Sequence, residues 1–142
     1  MTIAKVIGGL AGEIHSCQAR STVEEAARIL SDRRIGALPV FEESRLAGIF
    51  SERDLLYSVA REGAAALYRR VSEVMTAPAI TVAPQTGALE ALSLMTRRRI
   101  RHLPVETDGK IVGFVSIGDL VKYRIDLIEA EAEQMREYIQ TA

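Results

Sequence analysis

A mixed α/β (α+β) fold, made of two tandem β-α-β-β-α units and a C-terminal helix, is predicted by three observations. The chain repeats itself: Ser21–Leu55 aligns without a gap on Thr86–Leu120 at an offset of 65, and 12 of the 35 paired positions are identical. Inside each copy the apolar spacing switches from a helical period to the short apolar runs of strands. After Tyr123 it switches again, to a heptad.

In the first copy a strand over Glu13–Cys17 leads to a helix of about residues 22–33, where Val23, Ala26, Ala27 and Leu30 share a face. Ser21 and Glu24 have the spacing of a capping box at its start. The second copy has its strand over Ala79–Val82, then Thr86 as N-cap of a helix whose buried stripe is Ala88, Ala91, Leu92 and Met95. Each copy continues with a strand ending in Leu-Pro-Val, a polar turn and an apolar strand through Ile49-Phe50 or Phe114-Val115, which together read as a hairpin. Asp54 and Asp119 then open the second helix of each unit. Pro39 and Pro104 donate nothing to a sheet ladder, so each is expected at an edge or bulge that leaves backbone open to a ligand.

These elements place the first unit at residues 1–60, a linker at 61–73 that is partly helical through Ala64–Tyr68, and the second unit at 74–124. Residues 125–142 form an amphipathic helix with Ile125, Ile128, Ala132, Met135 and Ile139 as its seam. Two heptads are short for a coiled coil, and the seam either packs on its own domain or joins two copies of the chain.

Composition excludes several functions. With 18 Lys+Arg against 19 Asp+Glu the net charge is −1, which offers no general attraction for nucleic acid or an anionic membrane. No apolar run approaches the ~18 residues of a membrane span. Cys17 is the single cysteine and cannot form an intramolecular disulfide; in a strand position equivalent to Val82 it reads as a small buried hydrophobe. The N-terminus lacks the hydrophobic block of a secretory signal, so a cytoplasmic protein is expected. His15 and His102 are too far apart in sequence and too isolated to suggest a metal site, and no nucleophile elbow, glycine-rich phosphate loop or dinucleotide fingerprint is present.

The chemistry concentrates where each copy ends, in Gly48-Ile49-Phe50-Ser51-Glu52-Arg53-Asp54 and Gly113-Phe114-Val115-Ser116-Ile117-Gly118-Asp119. A carboxylate at a helix start can accept both hydroxyls of a ribose diol, while Ser and free backbone N–H groups suit phosphate. Taken singly, each motif reads first as a helix cap. A cap needs only Ser or Asp, however, so the recurrence of Gly, Ser and Asp together points to a further constraint. The densest cationic cluster is Arg97-Arg98-Arg99-Ile100-Arg101-His102. Its first three arginines read as a solvated helix end, whereas Arg101 and His102 lie on opposite faces of the following strand, one of them turned toward Ser116 and Asp119. The first copy has Gly36 and Ala37 at those positions and offers Arg53 instead, so the two sites are expected to be chemically unequal.

Through Arg-Arg-Ile-x-x-Leu-Pro-Val in both copies, the glycines at 48 and 113 and the Ser-x-x-Asp ends, the chain resembles the CBS-domain family, in its tandem arrangement called a Bateman module. The resemblance covers about residues 2–124 and implies two units packed by pseudo-twofold symmetry, with clefts for adenosine compounds such as AMP, ATP, NAD(H) or S-adenosylmethionine. It implies Asp54 and Asp119 as ribose ligands and Ser51 and Ser116 as ribose or phosphate contacts. Arg53, Arg101 and His102 become phosphate-side candidates, and Ile80, Thr81, His15 and Ser16 border the adenine from the opposite unit. Gly36, Ala37, Pro39, Leu103, Pro104, Ile117 and Gly118 complete the expected cleft lining. Gly36 and Ala37 depart from the polar residues often found there, which weakens the phosphate expectation at the first site.

The expected function is therefore a non-enzymatic, stand-alone regulatory module that senses an adenine nucleotide and passes its occupancy to a protein target. The alternative is a structural dimerisation or scaffold protein with vestigial clefts. A homodimer is expected in either case, led by Leu55, Leu56, Leu120 and Val121, because units of about 60 residues have little interior of their own.

Overall fold

The structure is a computed structural model that describes residues 2–8 and 13–141. Residues 1, 9–12 and 142, assigned above to the first unit and the terminal helix, lie outside the described residues. In chain order the elements are α1 (Ile3–Gly8), β1 (Cys17–Gln18), α2 (Val23–Arg33), β2 (Ala37–Glu42), β3 (Arg45–Ser51) and α3 (Glu52–Glu62). A 3-10 turn at Gly63–Tyr68 and α4 (Val71–Val74) lead to α5 (Ala88–Arg98), β4 (His102–Thr107), β5 (Lys110–Ser116) and α6 (Ile117–Thr141).

Both hairpins form in the same register. Pro39 faces Ile49 and Pro104 faces Phe114, and the ladder shifts just after each Leu-Pro-Val, between Val40 and Phe41 and between Val105 and Glu106. The short strand before each helix is reduced to two residues in β1, which runs parallel to β2, and to a single bridge between Val82 and Val105 in the second unit. The cap of α2 sits one residue later than expected: Thr22 and Glu25 exchange side chain–backbone hydrogen bonds, each 3.2 Å long. Thr86 instead takes a hydrogen bond from the N–H of Ala83, and Gly87 becomes the N-cap of α5.

Each unit has its own core, built from α2 on the first hairpin and α5 on the second. The segment preceding each unit packs on the other one. Ile3 and Val6 of α1 lie in the second core, where Ile3 N–H and Ala4 N–H bond the carbonyls of Thr86 and Pro84 at 2.8 Å. Val71 of α4 lies in the first core, and Thr76 bridges Ile49 through both backbone groups. Glycine admits both crossings. A Cβ on Gly48 would stand 2.6 Å from the Thr76 carbonyl oxygen, and one on Gly113 would stand 2.9 Å from a methyl of Ile7. The linker is held further by Arg69, whose guanidinium bonds Glu62 at 2.6 Å and Glu73 at 2.7 Å.

The second helix of unit two and the terminal helix are one element, α6, of 25 residues. No breaker stands between Tyr123 and Ile125, so the chain has no reason to leave the helical path. No described helix is long and apolar enough to cross a membrane.

Candidate inter-unit binding clefts

Ser51 and Ser116 each end a strand and cap the helix that follows, with Asp54 and Asp119 at its third residue. Ser51 N–H donates to Asp54 Oδ2 at 2.9 Å and Ser116 N–H to Asp119 Oδ2 at 2.8 Å, while each Asp N–H returns a bond to the Ser hydroxyl. Both motifs are therefore capping boxes with Asp as the acidic member. The capping role engages Oδ2 of each carboxylate. In the first unit Thr76 Oγ1 donates to Asp54 Oδ1 at 3.0 Å, whereas Asp119 Oδ1 has no such partner among the described residues. Asp119 thus keeps a carboxylate oxygen available to a hydroxyl donor.

Two clefts open beside these carboxylates, and each draws its walls from both units. The larger, about 440 Å³, joins Ser116, Asp119, Gly113 and Phe114 of the second unit to His15, Arg34, Gly36 and Ala37 of the first. Its volume is in the range of small-molecule sites. The smaller, about 170 Å³, joins Ser51, Asp54, Ile49 and Arg53 of the first unit to Ile80, Arg99, Arg101 and His102 of the second.

The segment after α2 or α5 makes the clefts composite. Arg34 and Arg99 close their helices in the left-handed conformation, with φ of 54° and 55°, and turn the chain toward the neighbouring unit. Along the strand that follows, successive side chains alternate in direction. His102 pairs with Ser116 across the hairpin and stacks on Phe114, with ring centroids 5.6 Å apart at 21°. Arg101 turns the other way, into the Asp54 cleft.

This reverses the expected distribution of charge. The first site, expected to offer Arg53 alone, is lined by Arg53, Arg99 and Arg101 against Glu52 and Asp54. Among the described residues the Asp119 cleft has only Arg34 against Glu13 and Asp119. Of the two residues on opposite faces of this strand, His102 is the one turned toward Ser116 and Asp119, and Arg101 serves the cleft of the other copy. Arg53 is already engaged: its guanidinium donates to the Arg99 carbonyl at 3.2 Å, across the unit boundary.

His102 lines both clefts. Burial lowers its pKa, an effect reinforced by Arg101 and opposed by Asp119 and Glu52, so the imidazole is held neutral. Cys17 is buried in the first core, and its thiol is pushed up to about 11 by that burial.

Ile80 and His15 stand in the Asp54 and Asp119 clefts respectively, on walls supplied by the opposite unit. Thr81 and Ser16 line neither. Leu103, Pro104 and Pro39 are buried in the hairpins, so the expected backbone opening at the prolines is covered. Ile117 and Gly118 are exposed on the first turn of α6, outside both clefts. Sequence reasoning missed Arg34 and Arg99, whose identity between the copies was a usable signal, and it missed Thr76 and Phe114, which nothing local marked. No group of acidic, histidine and cysteine side chains fit to hold a metal occurs among the described residues.

The family model for the CBS domain matches residues 11–61 and 71–126. The chain is 38% identical over 129 residues to the mitochondrial CBS domain-containing protein CBSX3 of Arabidopsis thaliana, covering 87% of this chain and 63% of that one. It therefore spans less than two-thirds of that relative's length. A solved structure of a CBS-domain containing protein from Agrobacterium tumefaciens superposes with a TM-score of 0.83 at 34% identity, over 87% of this chain and 92% of the other. The fold is also shared with CBSX2 in complex with AMP, at a TM-score of 0.75 and 24% identity over 89% of this chain and 97% of that one. Two segments matched by the family model, and superposition on a solved CBS-domain protein, make the chain a member of the CBS-domain family, as a tandem CBS pair.

Proposed function

We propose that this CBS pair is a non-catalytic regulatory module that binds an adenine nucleotide between its units and reports occupancy by a change of shape. The observation that carries this reading is Asp119, which uses one oxygen for its capping box and presents the other at a roomy cleft walled by the opposite unit. The stacked His102 and Phe114 offer a flat, uncharged surface beside it, suited to a purine. CBSX2 in complex with AMP supports an adenosine-type ligand for this fold.

The Asp54 cleft has the chemistry for phosphate but is self-occupied. Thr76 holds Asp54, and Arg53 holds the Arg99 carbonyl. A nucleotide carrying two or three phosphates, such as ATP or NAD(H), would draw Arg53 off that carbonyl and a ribose would draw Asp54 off Thr76. Both exchanges trade a contact across the unit boundary for a contact to ligand, which couples occupancy to the arrangement of the units. The module works as a dimer on a protein target, and its single buried cysteine suits a reducing compartment such as the cytoplasm. The same satisfied contacts favour the second reading, a scaffold whose clefts are vestigial.

Thermal unfolding with AMP, ATP and NADH separates the two. Binding raises the Tm with the logarithm of ligand concentration above the Kd, and Asp119→Asn, which keeps an acceptor for Ser116 N–H, removes most of the rise with AMP. A wild-type Tm indifferent to all three nucleotides would establish the scaffold reading.

A further inference from the structure

From Ile128 to Thr141 every residue of α6 is exposed, so about four turns stand clear of the chain's own core. An isolated helix of that length is marginal in water. Its apolar residues nevertheless keep one line. Val121, Ile125, Ile128, Ala132, Met135 and Ile139 follow a strict 3–4 alternation, one position round the helix from the buried Leu120, and all six are exposed. The alternative that the tail packs on its own domain is thereby removed for these residues.

We infer that this seam pairs with the same seam of a second copy, as a parallel, in-register two-stranded coiled coil. The flanking charges single out that partner and that direction. In a parallel pair each residue preceding a first-seam position meets the residue five further along the partner helix. Arg124 then faces Glu129 of the second copy, and Glu131 faces Arg136, each twice by symmetry. An antiparallel pair with the whole seam overlapped sets Glu129 on Glu129, Glu131 on Glu131 and Lys122 on Arg136. Every charged contact is attractive in the first arrangement, and these three are repulsive in the second. Arg136 reaches Glu133 of its own helix at 3.3 Å, an exposed contact that leaves its other N–H groups for the partner.

The test uses the full chain. Analytical ultracentrifugation at tens of micromolar is expected to give a dimer, and mild oxidation of Met135→Cys is expected to cross-link it, because position 135 meets its own counterpart only in the parallel register. Cys17 stays silent in that experiment because it is buried and its thiol is pushed up to about 11. Arg124→Glu is expected to weaken the dimer roughly tenfold, and Arg124→Glu with Glu129→Arg to restore it. A full-length monomer overturns the inference, as does a dimer that does not cross-link through residue 135 or whose charge swap is not restored. None of these readouts involves nucleotide, so their failure leaves the proposed ligand site untouched.

Discussion

The two clefts share a backbone plan and differ in chemistry. Both rest on a Ser-x-x-Asp capping box, both receive the segment after the other unit's first helix, and both are closed by a stretch that precedes the opposite unit. The Asp54 cleft is small, cationic and tied shut by Thr76 and Arg53. The Asp119 cleft is larger, with His102 and Phe114 giving it an aromatic wall and a single arginine at its rim. Duplication fixed the scaffold, and a few exchanges between copies set the character: Arg101 against Gly36, His102 against Ala37, Phe114 against Ile49. Because the walls are crossed, an exchange in one copy alters the cleft of the other.

The largest effect that sharpens this contrast is electrostatic. Arg101→Ala is expected to lower affinity for ATP at least tenfold while leaving adenosine binding within about twofold, since one charge-assisted hydrogen bond is worth ~1.5–3 kcal/mol. Isothermal titration calorimetry of both ligands reads the difference, and equal losses would count against Arg101 as a phosphate contact.

Packing gives the next contrast. Gly48→Ala drives a methyl into the backbone carbonyl of Thr76, which cannot move without shifting α4, whereas Gly113→Ala meets only the Ile7 side chain. Overpacking against fixed backbone costs about 1–3 kcal/mol. The Tm of Gly48→Ala is therefore expected to fall well below that of Gly113→Ala, and equal melting temperatures would break the claim that the two crossings differ in rigidity.

The smallest effect is a dependence on pH. The folded His102 has a pKa below its unfolded value of about 6.5, so the unfolded chain binds more protons between the two values. Its contribution to stability is complete above pH 6.5 and is lost as the pH falls toward the folded value. A Tm profile from pH 5 to 8 is expected to be flatter in His102→Gln than in the wild type. Superimposable profiles would show that the stacked imidazole is not shielded from solvent.

The order of elements, the two hairpins and the pair of Ser-x-x-Asp sites were legible because each depends on neighbours in sequence. A helical stripe, a polar turn and an Asp three residues after a Ser act within one or two turns of chain. The capping residues of α2 and α5 were misplaced by one position, since Ser21 and Thr22, or Thr86 and Gly87, differ little in intrinsic preference. The prolines were expected at open backbone because a missing N–H reads as a missing partner. In the fold the hairpin covers them regardless.

By itself the sequence determined the duplicated unit, the carboxylates and the seam of the last helix, all of them patterns of spacing along one chain. Tertiary structure alone decided which copy's arginines face which carboxylate, that α1 and α4 cross to the opposite unit, and that α6 runs unbroken away from its core. The physical reason is that the clefts lie between units, where a residue's neighbours are set by the packing of two cores against each other. An offset of 65 residues identifies equivalent positions. It carries no information about which of two equivalent surfaces each position meets.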